Sequence, residues 1–474
     1  MYNLCFMGRE AFLDYSPTIF NEIKASYDPQ AKGVIVVLDS REAGYVKSKY
    51  GDSVEICILA EFMDAHWDEF TLEKLCEYEK KYDASPMWKY IYTDRFLINR
   101  DYDYCVHTAA GLFAFWEYVF TTYKIDFYFD EVIATLFSYA AYLVGKKTGA
   151  QFYSLLLMRS VGMDLTHHYI LNDPYEMIYD MPKDYMDRQY TKEQLEAADK
   201  FLTEFEEKHS KPAFMKFSGK VPKFKAKFLI LPFFWIRQRF FNPHTKDKGN
   251  YIYYRDYETA FDEVDCYKRY KKSKKYYNKA DLSKKFVYYP LHLQPEASTI
   301  VCAQKYEKQL YFLDNLAKSV PADTLIYAKE HYSFLGSRDN SFYEALKQYP
   351  NIVLIDPWED SFSLIQNCEC VATLTGTAGQ EAMMLRRPVI MGGDILYENA
   401  PGVMRIEDIY GNYESAMASW KKPSREDIIK YLAAYMSCAR PGNCYVLSEK
   451  RLEPDNIKLL AKSMFDYFQE KKPS

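Results

Sequence analysis

SFSLIQNCECVATLTGTAGQEAMMLRRPVIMGG, residues 361–393, decides the fold. Residues 361–368 space their apolar side chains as a helix does, CVATL (370–374) is the β-branched run of a buried strand, and a Gly/Thr loop follows. GQEAMMLR (379–386) reads as the next helix and PVIMGG (388–393) as the next strand. Helix, strand, helix and strand in this order are the pattern of a parallel sheet with helices on its faces.

The alternation extends upstream. KFVYYPLHLQPE (285–296) opens it as a strand, 300–320 reads as a helix, TLIYAKEH (324–331) as a strand, 341–349 as a helix and NIVLID (351–356) as a strand. The first 170 residues repeat it, with strands at 3–8, 33–40, 53–62 and 124–132, helices at 101–121 and 131–149, and strand or loop at QFYSLLLMRS. The expected class is α/β, in two units. We place a first domain at 1–265 with a basic, aromatic insertion near 208–249, a linker at 266–285, a second domain at 286–450, and an amphipathic helix at 451–474. A further amphipathic helix is expected at 191–208.

Composition narrows the function classes. With 61 basic and 66 acidic residues in 474, the net charge of −5 argues against a generally basic nucleic-acid binder. Ten cysteines are too dilute for a disulfide scaffold and read as reduced thiols. The start, MYNLCFMGREAF, has neither the basic region nor the long apolar run of a secretory signal. The apolar run FLILPFFWI (228–236) is far short of the ~20 residues that span a bilayer. These features fit the cytoplasm. Charge is uneven, however. From Lys208 to Gly249 there are eleven lysines and arginines and one acid, Asp247, interleaved with Phe214, Phe217, Phe224, Phe228, Phe233, Phe234 and Trp235. That stretch suits an anionic bilayer surface, its own domain, or an anionic acceptor glycan.

Chemistry-bearing residues gather where strands end. Thr375-Gly376-Thr377-Ala378-Gly379 joins a strand to a helix, so its N–H groups and hydroxyls either cradle a phosphate or cap Gln380 and Glu381. Lys329-Glu330-His331, with Arg338 beyond, either holds phosphate, ribose and base or is structural. His292, Gln294 and Glu296 close the strand at 285–296, as cleft lining or as a Pro-rich turn with a helix cap. Asp130 and Glu131 end a strand of the first unit, as a carboxylate base or as a helix cap. Glu10 is the reserve candidate.

FVYYPLHLQPEAST, AKEH with GSR after it, and the 361–393 stretch together resemble the capsule polysaccharide biosynthesis family, over roughly Lys285 to Tyr397. The resemblance implies a GT-B architecture, two Rossmann-like domains facing across a cleft, with a donor nucleotide held by the second. By similarity to bacterial polysialyltransferases, a His-Pro pair contacts cytidine monophosphate and a Ser/Thr pair its phosphate. His331 and Thr375 or Thr377 match those positions, with Tyr332 in place of the proline. Asp130-Glu131-Val132 resembles their acidic base motif without its glycine. The implied function is a glycosyltransferase of bacterial surface polysaccharide or glycoconjugate synthesis. It would move a CMP-activated ulosonic acid, sialic-acid-like or Kdo, to a glycan or lipid-linked acceptor, with no metal or other cofactor. The implied location is the cytoplasm, or the inner face of the plasma membrane. The alternatives are a UDP- or GDP-sugar transferase or epimerase on the same scaffold, or an inactive partner recruiting a glycan assembly to a membrane.

Overall fold

In the computed structural model, residues 1–158, 166–175, 178–208, 221–241, 250–252 and 256–471 are described. Lys211, Phe214, Lys216, Phe217, Lys220, Lys246 and Lys248 of the basic insertion lie outside the described residues.

The strands are β1 (Asn3–Met7), β2 (Lys32–Val37), β3 (Glu55–Ile58), β4 (Phe127–Asp130), β5 (Gln151–Leu157), β6 (His167–Leu171), β7 (Phe286–Pro290), β8 (Leu325–Lys329), β9 (Ile352–Ile355), β10 (Cys370–Thr373), β11 (Val389–Met391), β12 (Val403–Arg405) and β13 (Arg440–Pro441). They form two sheets, ordered β13-β6-β5-β4-β1-β2-β3 and β12-β11-β10-β7-β8-β9. The second sheet is wholly parallel, and in the first only β6 is reversed, pairing antiparallel with both β5 and β13. Strands such as LCFM and VVLDS's first residues are apolar without alternation because helices cover both faces. This is the pair of Rossmann-like domains that the sequence implies.

Strand order sets where a ligand can enter. In the first sheet the chain runs outward from β1 through β2 and β3, then returns to start on β1's other side with β4. In the second it runs from β7 through β8 and β9, then returns to β10. Crossovers leave in opposite directions from each such point, which opens a crevice beyond the carboxyl ends of β1/β4 and of β7/β10.

The first core centres on Trp116, which is fully buried, lies 4.6 Å from Tyr128 and 4.9 Å from Phe137 between ring centroids, and donates its indole N–H to Phe137 O at 2.8 Å. The last helix, Pro454–Glu470, belongs to this core. Its Ile457, Leu460, Ala461, Met464, Tyr467 and Phe468 recur at helical spacing and are buried, with Phe468 4.4 Å from Phe127 and Tyr467 5.4 Å from Tyr153. Residues 440–441 likewise pair with β6. The chain has therefore rejoined the first unit before residue 450, because an apolar helix face of that length needs a core to cover it. Conversely, Ala198, Leu202 and Phe205 of the helix Lys192–Lys208 are buried in the second core, where Phe205 meets Phe362 at 5.9 Å and Arg425 binds Asp199 and Glu206 at 2.9 and 2.6 Å.

Three local readings differ from the structure. Residues 266–273 are not a loose linker but the end of a helix, Asp256–Ser273, whose lysines face water while Cys266, Arg269, Tyr270 and Ser273 face inward at helical spacing. The expected helix at 300–320 is broken into Ala297–Ile300 and Gln309–Ala317, and the buried Gln309 that starts the second piece bonds to the backbone of His292. The strand expected at 53–62 ends at Ile58, where the chain turns into the helix Leu59–His66.

The final helix gives a direct check. Phe468→Ala leaves a void against Phe127 and Tyr2 and is expected to destabilise the first domain by about 3 to 5 kcal/mol, measured by urea unfolding followed through Trp116. A loss below about 1 kcal/mol would mean that the helix is not part of that core.

Candidate functional site

The carboxyl ends of β1/β4 and β7/β10 share one cleft of about 480 Å³, within the range of small-molecule sites. A larger hollow of about 640 Å³ lies on the edge strand β3, between Phe62, Tyr118 and Tyr123, away from both switch points.

On the second domain's side, His292 fixes the geometry. It is buried, its Nε2 accepts the Thr375 N–H at 3.1 Å and lies 3.1 Å from Thr373 Oγ1, and Thr373 Oγ1 accepts the Gly376 N–H at 3.0 Å. Since a backbone N–H can only donate, Nε2 carries no proton and the neutral ring holds it on Nδ1. Burial, with the Arg338 cation second, pushes the His292 pKa down to about 3, so the ring is neutral near pH 7. Gln309 donates to His292 O at 2.9 Å and accepts its N–H at 3.0 Å, while Arg338 Nη2 donates to the same carbonyl at 2.7 Å. Gly376 is required here, because a Cβ would come within 2.9 Å of Thr373 Oγ1.

This network sorts the two threonines. Thr375 Oγ1 donates to Ser298 O at 2.8 Å and is committed to structure. Thr377 begins the helix Thr377–Met384, whose N-terminus has no side-chain cap, and it faces the cleft with Gly376 and Ala378. Unengaged N–H groups and the positive end of the helix dipole there suit an anion.

The 329–338 segment divides as well. His331 and Ser333 line the cleft, with His331 accepting the Ser333 N–H at 3.3 Å and stacked on Tyr332 at 4.8 Å. Tyr332 thus supports the histidine ring. Glu330 and Arg338 do not line the cleft. They form a buried ion pair at 2.7 Å, Tyr343 donates to Glu330 at 2.7 Å, and the Arg338 guanidinium lies over Phe334 and Phe342. Lys329 is also buried and does not line the cleft, and its Nζ donates at 2.7 Å to Oγ of Ser361, which does. Gln294 bonds to Gln309 at 2.6 Å and Gln380 is buried, and neither lines the cleft, whereas Glu296 and Glu381 do.

The first domain contributes Asp130 and Glu131, which the structure separates by environment. Asp130 is fully buried, accepts the Tyr128 hydroxyl and the Glu131 N–H, and burial raises its pKa. Glu131 has 44% of its side chain exposed and lies 3.5 Å from Arg9 Nη2. The crowded walls around it raise its pKa and the Arg9 guanidinium opposes that rise. Of this pair, Glu131 is the carboxylate that both lines the cleft and meets solvent.

Sequence reading missed Tyr288, Ser298, Ser333 and Ser361, and the apolar wall of Leu155–Leu157 and Cys444–Val446. The serines carried a usable signal, since each follows a strand of the second sheet at its carboxyl end. Residues 444–446 carried none, because only the chain's late return to the first sheet brings them here.

Residues 241–435 match the capsule polysaccharide biosynthesis protein family. No curated protein matches the chain. Among solved structures, the chain is similar to the beta Kdo 2,4 transferase of Thermosulfurimonas dismutans KpsC at 14% identity, covering 68% of this chain and 86% of that one, with a TM-score of 0.37. The beta Kdo 2,7 transferase of the same protein gives 13% identity, 99% and 100% coverage and a TM-score of 0.36. An S. aureus MnaA–UDP co-structure gives 11%, 100%, 99% and 0.28. Likenesses this distant carry no weight beside the chain's own two sheets.

His292 offers a test of the site's electrostatics. Its folded pKa of about 3 lies below the ordinary 6.5, so the unfolded chain takes up the proton first and His292 weakens folding as pH falls from 6.5 towards 3. Relative to pH 7.5, His292→Gln should gain about 2 kcal/mol on the parent at pH 5, measured by paired denaturant titrations. An unchanged difference between the two pH values would show that the ring is not held neutral.

Proposed function

From a chain whose residues 241–435 match the capsule polysaccharide biosynthesis family, we infer a glycosyltransferase of bacterial surface polysaccharide or glycoconjugate synthesis. The observation that carries it is one cleft with an uncapped helix start at Thr377 on one wall and the solvent-reached carboxylate of Glu131 on the other. The donor is a nucleotide-activated sugar, with a CMP-activated ulosonic acid favoured by His331 and Thr377 at the resembling positions. The acceptor is a glycan, lipid-linked where the chain works at the inner face of an anionic membrane. The 221–241 segment supports that placement, although among the described residues no helix is long and apolar enough to cross a membrane.

The roles follow from chemistry. Glu131 takes the acceptor hydroxyl proton as the new bond to the anomeric carbon forms and the bond from that carbon to the phosphate oxygen breaks. The departing nucleotide carries the released electron pair as phosphate charge, which Thr377 and the N–H groups of the helix start receive. His331 and Ser333 border the nucleoside. Asp130 does not act as the base in this scheme, since it is enclosed and hydrogen-bonded to Tyr128.

A thermal-shift panel of CMP, UMP, UDP and GDP tests the donor class. CMP should stabilise most, by about 2.7 kcal/mol at 100 times its dissociation constant, and stabilisation by UDP or GDP instead would replace the donor while keeping the site. Thr377→Ala and His331→Ala should each weaken nucleotide binding by about 1 to 3 kcal/mol, and unchanged affinity in calorimetry for both would remove the nucleotide from this wall.

Glu131→Gln should lower turnover at least about 10²-fold with nucleotide affinity intact. Arg9→Met removes the cation that favours the ionised carboxylate, so the acidic limb of kcat/KM should move to higher pH. A limb that stays put, or moves to lower pH, would mean that Glu131 is not the titrating base.

A further inference from the structure

The helix Leu231–Phe241 is rich in large apolar residues and leaves several of them exposed. Leu231 is buried, but Phe233, Phe240 and Phe241 are 75%, 72% and 79% exposed, and Phe234, Trp235 and Ile236 between 41% and 47%. Positions 233–236 point about 100° apart around the axis. The most exposed of these, Phe233, Phe240 and Phe241, share one face of the helix about 100° wide, and an apolar face of this kind can enter a bilayer while the other side packs on protein. At about 1.5 Å per residue its eleven residues reach about 17 Å, short of a ~30 Å hydrocarbon core, so it can enter one leaflet and not cross. Arg237 lies within the helix and Lys223 precedes it, while Lys225 and Lys227 stand nearby, clamped by Glu263 at 2.7 and 3.0 Å. Basic residues beside exposed Phe and Trp match an anionic surface.

The mounting of this helix connects it to the cleft. It packs on the helix Asp256–Ser273, which Phe224 also meets through Tyr267 at 6.1 Å. On that helix, Cys266 Sγ lies 3.2 Å from Leu335 O and Arg269 Nε donates to Gly336 O at 2.7 Å. Gly336 has φ +80° and lies so close that a Cβ would come within 2.1 Å of Cys266 O. Two residues earlier, Phe334 N–H donates to the carbonyl of His331, the residue that lines the cleft.

We propose that the helix Leu231–Phe241 docks the protein on an anionic bilayer, and that the helix Asp256–Ser273 passes the docked position to the loop 331–338 at the mouth of the cleft. What the loop then does rests on the nucleotide-sugar reading of the cleft; the docking does not. A helix held in lipid at one end moves less against the loop it grips at the other, so docking restrains the loop and lowers the ordering left for a ligand to impose.

Flotation of the full chain with phosphatidylglycerol vesicles, with phosphatidylcholine vesicles as the neutral control, tests the first half. The wild type should float with phosphatidylglycerol, several-fold less with phosphatidylcholine, and be released by salt. A variant carrying Phe233→Ser, Phe240→Ser and Phe241→Ser, all at exposed positions, should lose at least tenfold in partitioning and keep the wild-type unfolding curve. No flotation of the wild type overturns the proposal, as does a wild-type dimer that the triple variant abolishes, since a second copy would then be the cover. Hydrogen exchange tests the second half. Amides of 331–338 should exchange several-fold more slowly on phosphatidylglycerol vesicles in the wild type, and no more slowly in Arg269→Ala, which still floats. Equal exchange with and without vesicles in the floating wild type overturns the coupling. CMP titration separates the two readings, because flotation and slowed exchange without CMP binding support this proposal and refute the donor assignment.

Discussion

One buried, neutral imidazole holds together the cleft wall that carries the helix start at Thr377. His292 Nε2 takes the Thr375 N–H, its neighbour Thr373 Oγ1 takes the N–H of Gly376, and Gln309 and Arg338 hold the histidine backbone from behind. These bonds join the loop after β7 to the loop after β10, the two strands between which the sheet order reverses. They fix the direction of the helix start at Thr377. The donors meant for an anion are therefore set before any ligand arrives, which is the condition under which oriented dipoles are most effective. The Glu330–Arg338 pair serves the same end at one remove, since Arg338 is the strut behind His292 O.

Opposite this wall, two adjacent carboxylates have been given different environments. Asp130 is enclosed and bonded to Tyr128, and Glu131 opens to the cleft beside Arg9. The contrast falls at the strand's end, since Asp130 is the last residue of β4 and Glu131 the first beyond it. One carboxyl anchors the strand end and the other is left free to face a ligand. The last helix, Pro454–Glu470, stabilises this wall from below through Phe127 and Tyr153, so the carboxyl-terminal residues support the amino-terminal sheet.

The fold was legible where period and composition speak locally. The run 361–393 gave a helix, strand, loop, helix and strand in their observed places, and the strand ends at Asp130, His292, His331 and Thr377 lie on one cleft. The illegible part was long-range. Nothing local in Glu330 or Arg338 says that each is the other's partner, and the same strand-end position that recommended them as ligands also suits a buried strut. The helix Asp256–Ser273 was hidden because its lysines look like a solvated linker until Cys266, Arg269, Tyr270 and Ser273 are read as one face. The last helix showed its apolar face plainly, but sequence spacing could not say which core it covers. Ser361 drew no notice because its value comes from Lys329, 32 positions away, whose Nζ it meets.

The central claim is that a nucleotide phosphate sits at the start of the helix Thr377–Met384, with its sugar facing Glu131. A crystal structure of the protein with a CMP-sugar or CMP tests it most directly. The expected result is phosphate oxygen within about 3 Å of Thr377 Oγ1 and of the Ala378 N–H, with the nucleoside beside His331 and the open side of the phosphate towards Glu131. A nucleotide bound instead against Arg9 on the first sheet, or in the hollow between Phe62 and Tyr118, would contradict it.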